Sequence, residues 1–437
     1  MKKALESLRA KVAQWPYSLL SVFAAVSAFG AYTSMYAFRK AFAAGTFTGQ
    51  QYFHVDYKVW LVIAQILGYT LSKFYGIRFI AEIKGSKRGV TILLLVAVAW
   101  LALLAFALVP APYNIIFLFV NGFPLGLIWG LVFGYLEGRR STEFMAAVLS
   151  ISLIFASGFV KTVGRTLLHA LPISDFQMPF LTGAVFAIPL VLFVFFLELM
   201  PQPTAEDIKL RTKRAPMNAE ERRHFLQRFM PGVVLTLIIY VLLTVMRDVR
   251  DNFEVEIWAS LGVKNNMIFT STDTKISVIV LVAISLLILV RKNLRAFSII
   301  HLMIIGGCVL IGASTVLFSL KMISPTTWMT MAGLGLYLGY VPYNAIFFER
   351  MIATFHYKSN VGFIIYVADS LGYLGSVTLL LVKELGRPNI SWADFFRQGV
   401  VFVAIIGGIA ATLSLLYFLH SARKSKQTQG ELNIQPA

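Results

Sequence analysis

A single cysteine in 437 residues leaves no room for a disulfide framework or a thiolate metal cluster. That residue, Cys308, lies inside an apolar run and implies no catalytic nucleophile. Charge is also scarce: 14% of the residues are Asp, Glu, Lys or Arg, and the acids are the fewer, 21 against 39 Lys plus Arg. The phosphate-loop pattern Gly-x4-Gly-Lys-Ser/Thr is missing, as is His-Glu-x-x-His, so neither ATP-driven pumping nor zinc proteolysis has support. No Ser/His/Asp set or paired-aspartate arrangement suggests an enzyme, and no cofactor or metal is implied. The formal net charge of +18 does not point to nucleic acid. Its basic residues are parcelled into short blocks between apolar runs and form no basic domain.

Hydrophobicity dominates instead, with 58% apolar residues and a mean hydropathy of +0.74, values no ordinary soluble domain reaches. Runs long enough to cross about 30 Å of hydrocarbon fall at residues 16–41, 57–80, 89–110, 113–136, 144–168, 177–199, 231–252, 273–291, 297–319, 326–348, 360–383 and 397–420. They predict an all-α membrane protein with twelve transmembrane helices. One long polar stretch divides them into two sets of six and carries Lys209, Arg211, Lys213, Arg214, Arg222, Arg223 and Arg228. The expected plan is a six-helix half over 1–200, a basic cytoplasmic loop over 201–230, a second half over 231–426 and an unstructured polar tail over 427–437.

Clusters of Lys and Arg at the N-terminus, at Lys87 and Arg88, at Arg139 and Arg140, along the central stretch, at Arg291 to Arg295 and at Arg423 to Lys426 all fall on the same alternate side. The positive-inside rule makes that side cytoplasmic, which predicts cytoplasmic termini, with a bacterial inner membrane as the expected location. Residues 1–15 are basic and mildly amphipathic, and the run that follows is too long for a signal-peptide core, so this segment is expected to be retained. On the fourth span Gly122, Gly126, Gly130 and Gly134 recur every four residues, the spacing of a helix-packing stripe.

Arg39, Lys40, Arg247 and Arg250 break the charge rule, since they lie at the other end of their spans. A cation held in hydrocarbon costs about 2.5 to 3.5 kcal/mol on insertion scales. A pair retained there points to an anion that binds and leaves. Tyr32, Tyr36 and Arg39 share one helical face, Gln65, Tyr69 and Lys73 another, and on the seventh span Tyr240, Thr244, Arg247 and Asp251 repeat the pattern. Two guanidinium groups, one from each half, suit bidentate binding of phosphate or carboxylate oxygens, Lys73 adds a point charge, and tyrosines can hydrogen-bond the organic part. Tyr340 on the tenth span and Asp369 and Tyr373 on the eleventh complete the polar set. Asp369 and Asp251 are charge-balancing candidates, and Asp369 can alternatively carry a proton. The competing reading for Arg39 is a side chain reaching the headgroups. For Arg250 it is local pairing with its acidic neighbours, Glu254 among them. Lys161, Arg165 and Lys275 are expected at the interface.

Two six-helix halves joined by a basic loop resemble the plan of the major facilitator superfamily, whose halves rock about a central site. At Tyr32, Tyr36, Arg39, Lys40 and Phe42, and at Tyr69-Thr-Leu-Ser72-Lys73-Phe74, the chain resembles the organophosphate:phosphate antiporters of that superfamily. Arg247 matches their seventh-helix arginine, and Gly372-Tyr-Leu-Gly375-Ser376 is similar to an eleventh-helix motif. The resemblance implies anion exchange by a monomer, with substrate bound by Arg39, Arg247 and Lys73. Phe155 stands near the place of the family's phosphate-binding histidine, and the signature between the second and third helices is degenerate after Gly76. A divergent relative with an altered substrate is therefore expected. The alternatives are a membrane sensor of a sugar phosphate and a proton-coupled symporter of a carboxylate.

Overall fold

A computed structural model describes residues 2–82, 87–204, 207, 219–355, 362–386 and 389–432. Helix α1 (Lys2–Ala13) precedes the first expected span, α2 (Tyr17–Lys40), which ends in a 3-10 turn over Ala41–Ala44. A two-residue antiparallel ladder follows, pairing Gln51 with Asp56 and Tyr52 with Val55. It is a small exception to the all-α expectation. Next come α3 (Tyr57–Glu82) and α4 (Arg88–Leu108).

The fourth expected span is not one helix. It divides into α5 (Ile115–Leu125) and α6 (Ile128–Phe133), with Pro124 inside α5 and Gly126 at its end. Proline removes a backbone donor and glycine weakens the helix, so the break falls where the two come together. Helices α7 (Thr142–Ala170) and α8 (Met178–Glu198) complete the first six spans. The expected seventh span is the middle of a longer helix, α9 (Ala219–Ser260), with non-helical backbone angles at Phe253. Then follow α10 (Met267–Ile288), α11 (Asn293–Ser319) and α12 (Pro325–Pro342), a π turn over Tyr343–Phe347, and α13 (Phe348–Thr354). Helix α14 (Gly362–Gly386) is followed by α15 (Trp392–Phe402), a second π turn over Val403–Gly407, and α16 (Gly408–Leu432). The tail expected to lose structure from residue 427 is helical to Leu432, there being no proline before Pro436 to stop it. Residues 208–218 of the central basic loop lie outside the described residues.

Nine helices among the described residues are long and apolar enough to cross a membrane. Their outward apolar residues, such as Leu94, Leu101, Ile188, Leu286 and Val309, are more than half exposed, as suits a lipid-facing surface.

The chain parts into two compact units, one of Met1–Arg211, Asp248–Leu281 and Ser376–Phe395, the other of Thr212–Arg247, Val282–Gly375 and Phe396–Ala437. Within the first, α2 lays a run of small buried residues, including Ala24, Ala28 and Ala31, against its neighbours. Lipid is as apolar as leucine, so such packing depends on close approach rather than on hydrophobic burial. Between α3 and α5 that approach is extreme: a Cβ at Gly68 would run into the carbonyl of Phe119, and one at Gly122 into that of Gln65. Asn121 then ties three helices together, donating from Nδ2 to the carbonyls of Phe38 (2.9 Å) and Ala99 (3.0 Å). In the second unit Gly307 and Gly335 bring α11 and α12 together, and Trp328 stacks on Phe318 at 4.4 Å.

The end of the first unit that holds the N-terminus is closed by polar contacts. Arg9 Nε donates to the carbonyl of Glu198 at 3.0 Å, and the Glu198 carboxylate accepts from Tyr135 and from the Gly89 amide. Arg139 Nη2 donates to the carbonyl of Pro201 at 2.5 Å. Burial alone would raise the pKa of Asp207, but amides of Thr204 and Arg140, the Thr204 hydroxyl and the Arg139 charge outweigh it and hold the carboxyl below its ordinary 3.8.

Candidate functional site

In the first unit α2 and α3 bring five of the expected residues together. The Arg39 guanidinium lies 3.8 Å from the centre of the Tyr69 ring and 5.7 Å from that of Tyr36. The Lys73 ammonium is 5.4 Å from the same Tyr69 ring, and the Tyr32 and Tyr36 rings are 6.3 Å apart. Tyr32, Tyr36 and Tyr69 are buried. Gln65 fixes the geometry from behind: its Nε2 donates to the Arg39 carbonyl at 2.5 Å and to Asn121 Oδ1 at 2.9 Å. An aromatic face beside each cation offsets part of its desolvation.

The second unit repeats the device. The Arg247 guanidinium lies 4.0 Å from the centre of the Tyr340 ring, and the Tyr240 and Tyr340 rings are 5.5 Å apart. The Tyr240 hydroxyl donates to Asp369 Oδ1. Tyr373 is buried one turn beyond Asp369 on the same helix. Gly372 against Thr244, and Gly375 against Val241 and Val245, let α14 approach α9 closely enough for these contacts.

Lys40 and Asp251 belong to a different group. Lys40 Nζ donates to Asn252 Oδ1 at 2.5 Å and pairs with Asp251 Oδ2 at 3.1 Å. Tyr36 joins the two sets, its hydroxyl donating to the same Asp251 oxygen at 3.2 Å. Lys161, expected at the interface, is instead fully buried and lies 3.3 Å from Asp251 Oδ1 and 2.8 Å from Glu254 Oε2. The reason is its face. Lys161 stands one turn beyond Ser157, to which it donates at 2.6 Å, and Ser157 in turn donates to Asp251. That serine-lysine spacing was the available signal. Arg250 pairs within its own helix with Glu254 at 3.3 Å, as expected, but also with Asp273 on α10 at 2.6 Å. Lys58, another cation that sequence reasoning passed over, is buried against Glu256 at 2.6 Å. Buried pairs of this kind gain little net stability once desolvation is counted, so their number here argues for a working role.

The sequence matches, over residues 41–421, a family described as one of unknown function, DUF5690. The chain belongs to that family. No curated protein matches it. Among solved structures it is similar to a D-xylose-proton symporter, with 14% identity, a TM-score of 0.59, and coverage of 91% of this chain and 97% of the other. The inward-open xylose transporter XylE from E. coli gives 12%, 0.57, 92% and 95%. A POT family transporter in complex with 5-aminolevulinic acid gives 12%, 0.56, 91% and 95%. At such identities the likeness is one of fold. This DUF5690 protein is a multi-pass, all-α membrane protein with the major facilitator fold.

Proposed function

We propose that the protein is a secondary transporter of a small organic anion, with an organophosphate or phosphate-type exchanger as the leading form. The observation that carries this is the repeated pairing of an intramembrane arginine with a tyrosine face, Arg39 over Tyr69 in one unit and Arg247 over Tyr340 in the other. Both arginines follow a buried tyrosine by seven residues, Tyr32 and Tyr240, as two copies of one repeat would. Each guanidinium supplies one partner for the anion, and Lys73 assists Arg39. Transport depends on substrate when the anion binds the carrier's conformations with different affinities. The proposed setting is a bacterial inner membrane with cytoplasmic termini, following the Lys and Arg distribution.

Proteoliposomes preloaded with inorganic phosphate, a sugar phosphate or a sugar acid test the reading by counterflow. Charge-assisted hydrogen bonds contribute about 1.5 to 3 kcal/mol each, so Arg39→Ala and Arg247→Ala are expected to slow exchange by roughly 10- to 100-fold, with the Lys variants in between. Unchanged exchange in both alanine variants would remove the proposal. Tyr240 donating to Asp369 favours a second reading, a proton-coupled carboxylate symporter. Uptake that is indifferent to a pH gradient and survives Asp369→Asn would discard it.

A further inference from the structure

Helices α7 and α10 cross closely in the first unit. Thr162 Oγ1 donates to the Asn266 carbonyl at 2.9 Å, and Thr270 Oγ1 donates to Thr162 Oγ1 at 2.7 Å. At the next turn a Cβ on Gly158 would collide with the carbonyl of Phe269 and come within 2.8 Å of Asp273 Oδ2. Asp273 therefore sits in the crossing itself, with no exposed surface. The charged groups around it are Arg250, Asp251 and Glu254 from α9 and Lys161 from α7, which pairs with Asp251 and Glu254; Lys40 of α2 completes the set through Asp251. With every group ionised, the cations Lys40, Lys161 and Arg250 balance the acids Asp251, Glu254 and Asp273, and the cluster is neutral.

The three acids are not equally satisfied. Asp251 Oδ1 accepts from Ser157 and Lys161, and its Oδ2 accepts from Tyr36 and lies beside Lys40. Glu254 Oε1 accepts from Trp258 and lies beside Arg250, and its Oε2 accepts from Lys161. Asp273 Oδ1 accepts from Arg250 at 2.6 Å, but its Oδ2 is buried with no hydrogen-bond partner among the described residues. An unmade hydrogen bond on a buried ionised carboxylate is costly, and adding a proton at that oxygen removes the charge that makes it so.

We propose that Asp273 is a proton-binding carboxyl whose protonation loosens the crossing of α7 and α10. One proton passes from hydronium to Oδ2: an O–H bond of the hydronium breaks, one forms on the carboxyl, water is left behind, and no other covalent bond changes. The ion pair with Arg250 becomes a hydrogen bond to a neutral acid, and the cluster passes from a net charge of zero to +1. A surplus cation in a dry crossing is unfavourable. It is relieved when the crossing opens to water, and again when an anion enters. That last consequence rests on the proposed anion function, whereas the proton site and the opening do not.

The test uses the full chain in nanodiscs, with Cys308→Ser removing the native thiol and Thr162→Cys reporting on the crossing. Labelling by a membrane-impermeant maleimide, normalised to a Ser271→Cys control, is expected to rise about tenfold from mildly basic to mildly acidic pH as the population shifts. Asp273→Asn, fixed in the neutral form, should label fast at every pH, and Asp273→Glu should keep the response. A pH response that persists in Asp273→Asn overturns the proposal. Should Asp273→Asn fail to fold, infrared difference spectra of the protein with Asp273 intact decide instead: a protonated-carboxyl band must grow in step with labelling and shift in Asp273→Glu, and its absence is equally fatal. Inorganic phosphate forms a separate arm. If it slows labelling at acid pH only while Arg39 is present, the anion reading gains; if it has no effect, that reading loses while the proton site stands on the other arms.

Discussion

Lys161 shows at residue scale how buried charge makes a structure depend on one side chain. It carries no exposed surface and satisfies Ser157, Asp251 and Glu254 together. Lys161→Met removes the cation and leaves two carboxylates in a dry site, for which removal of one partner from a buried pair costs about 3 to 5 kcal/mol. A marked fall in thermal-unfolding midpoint is expected for the purified variant, against no measurable change for Lys275→Met at an exposed position. Legibility at this scale was uneven. Arg39, Lys73, Tyr32, Tyr36 and Tyr69 were grouped by helical spacing on two neighbouring spans, and they meet. Lys161 and Lys58 were not readable as a cluster with α9, because their acidic partners lie 90 or more residues away, and Asp273, though only 23 residues from Arg250, stands on a separate helix, so spacing within one helix carries no information about either contact.

At the scale of elements, the glycines at helix crossings decide whether the bundle assembles. Gly68 and Gly122 each face a backbone carbonyl, which cannot swing aside as a side chain can. Gly68→Val and Gly122→Val are therefore expected to abolish a monodisperse peak in size-exclusion chromatography of membrane extracts. Gly306→Ala, where nothing lies within 4 Å of the added carbon, is expected to leave the peak intact. The existence and order of the spans were legible because hydrophobic length alone sets them. Their interruptions were not. The break near Gly126 has a proline to mark it, but the π turn over Val403–Gly407 contains none.

For the whole molecule, the proposed transport and the proposed opening meet at the crossing of α7 and α10. If carriage of substrate requires that crossing to part, a bridge across it must stop transport without touching the arginines. In a Cys308→Ser background, Thr162→Cys with Thr270→Cys places thiols where hydroxyls now lie 2.7 Å apart. Joining them with a short thiol crosslinker is expected to halt uptake in proteoliposomes, and cleaving the linker to restore it. Full uptake by the crosslinked protein would mean that this contact does not move. The all-α membrane fold was readable from the apolar runs, whereas the two compact units, which group residues 248–281 and 376–395 with the N-terminal part, were not. The proposed ligand was less legible, because a cation on an aromatic face suits phosphate and carboxylate alike.

The hold of Arg9 on Glu198 also sets an order of events during biosynthesis. The two residues are 189 positions apart, so α1 leaves the ribosome long before its acceptor exists. At about 5 to 20 residues per second that wait is on the order of 10 to 40 s. For that interval the first-made helix must remain undocked while six membrane spans are inserted, and the contact that closes this part of the chain is among the last its first six spans can make.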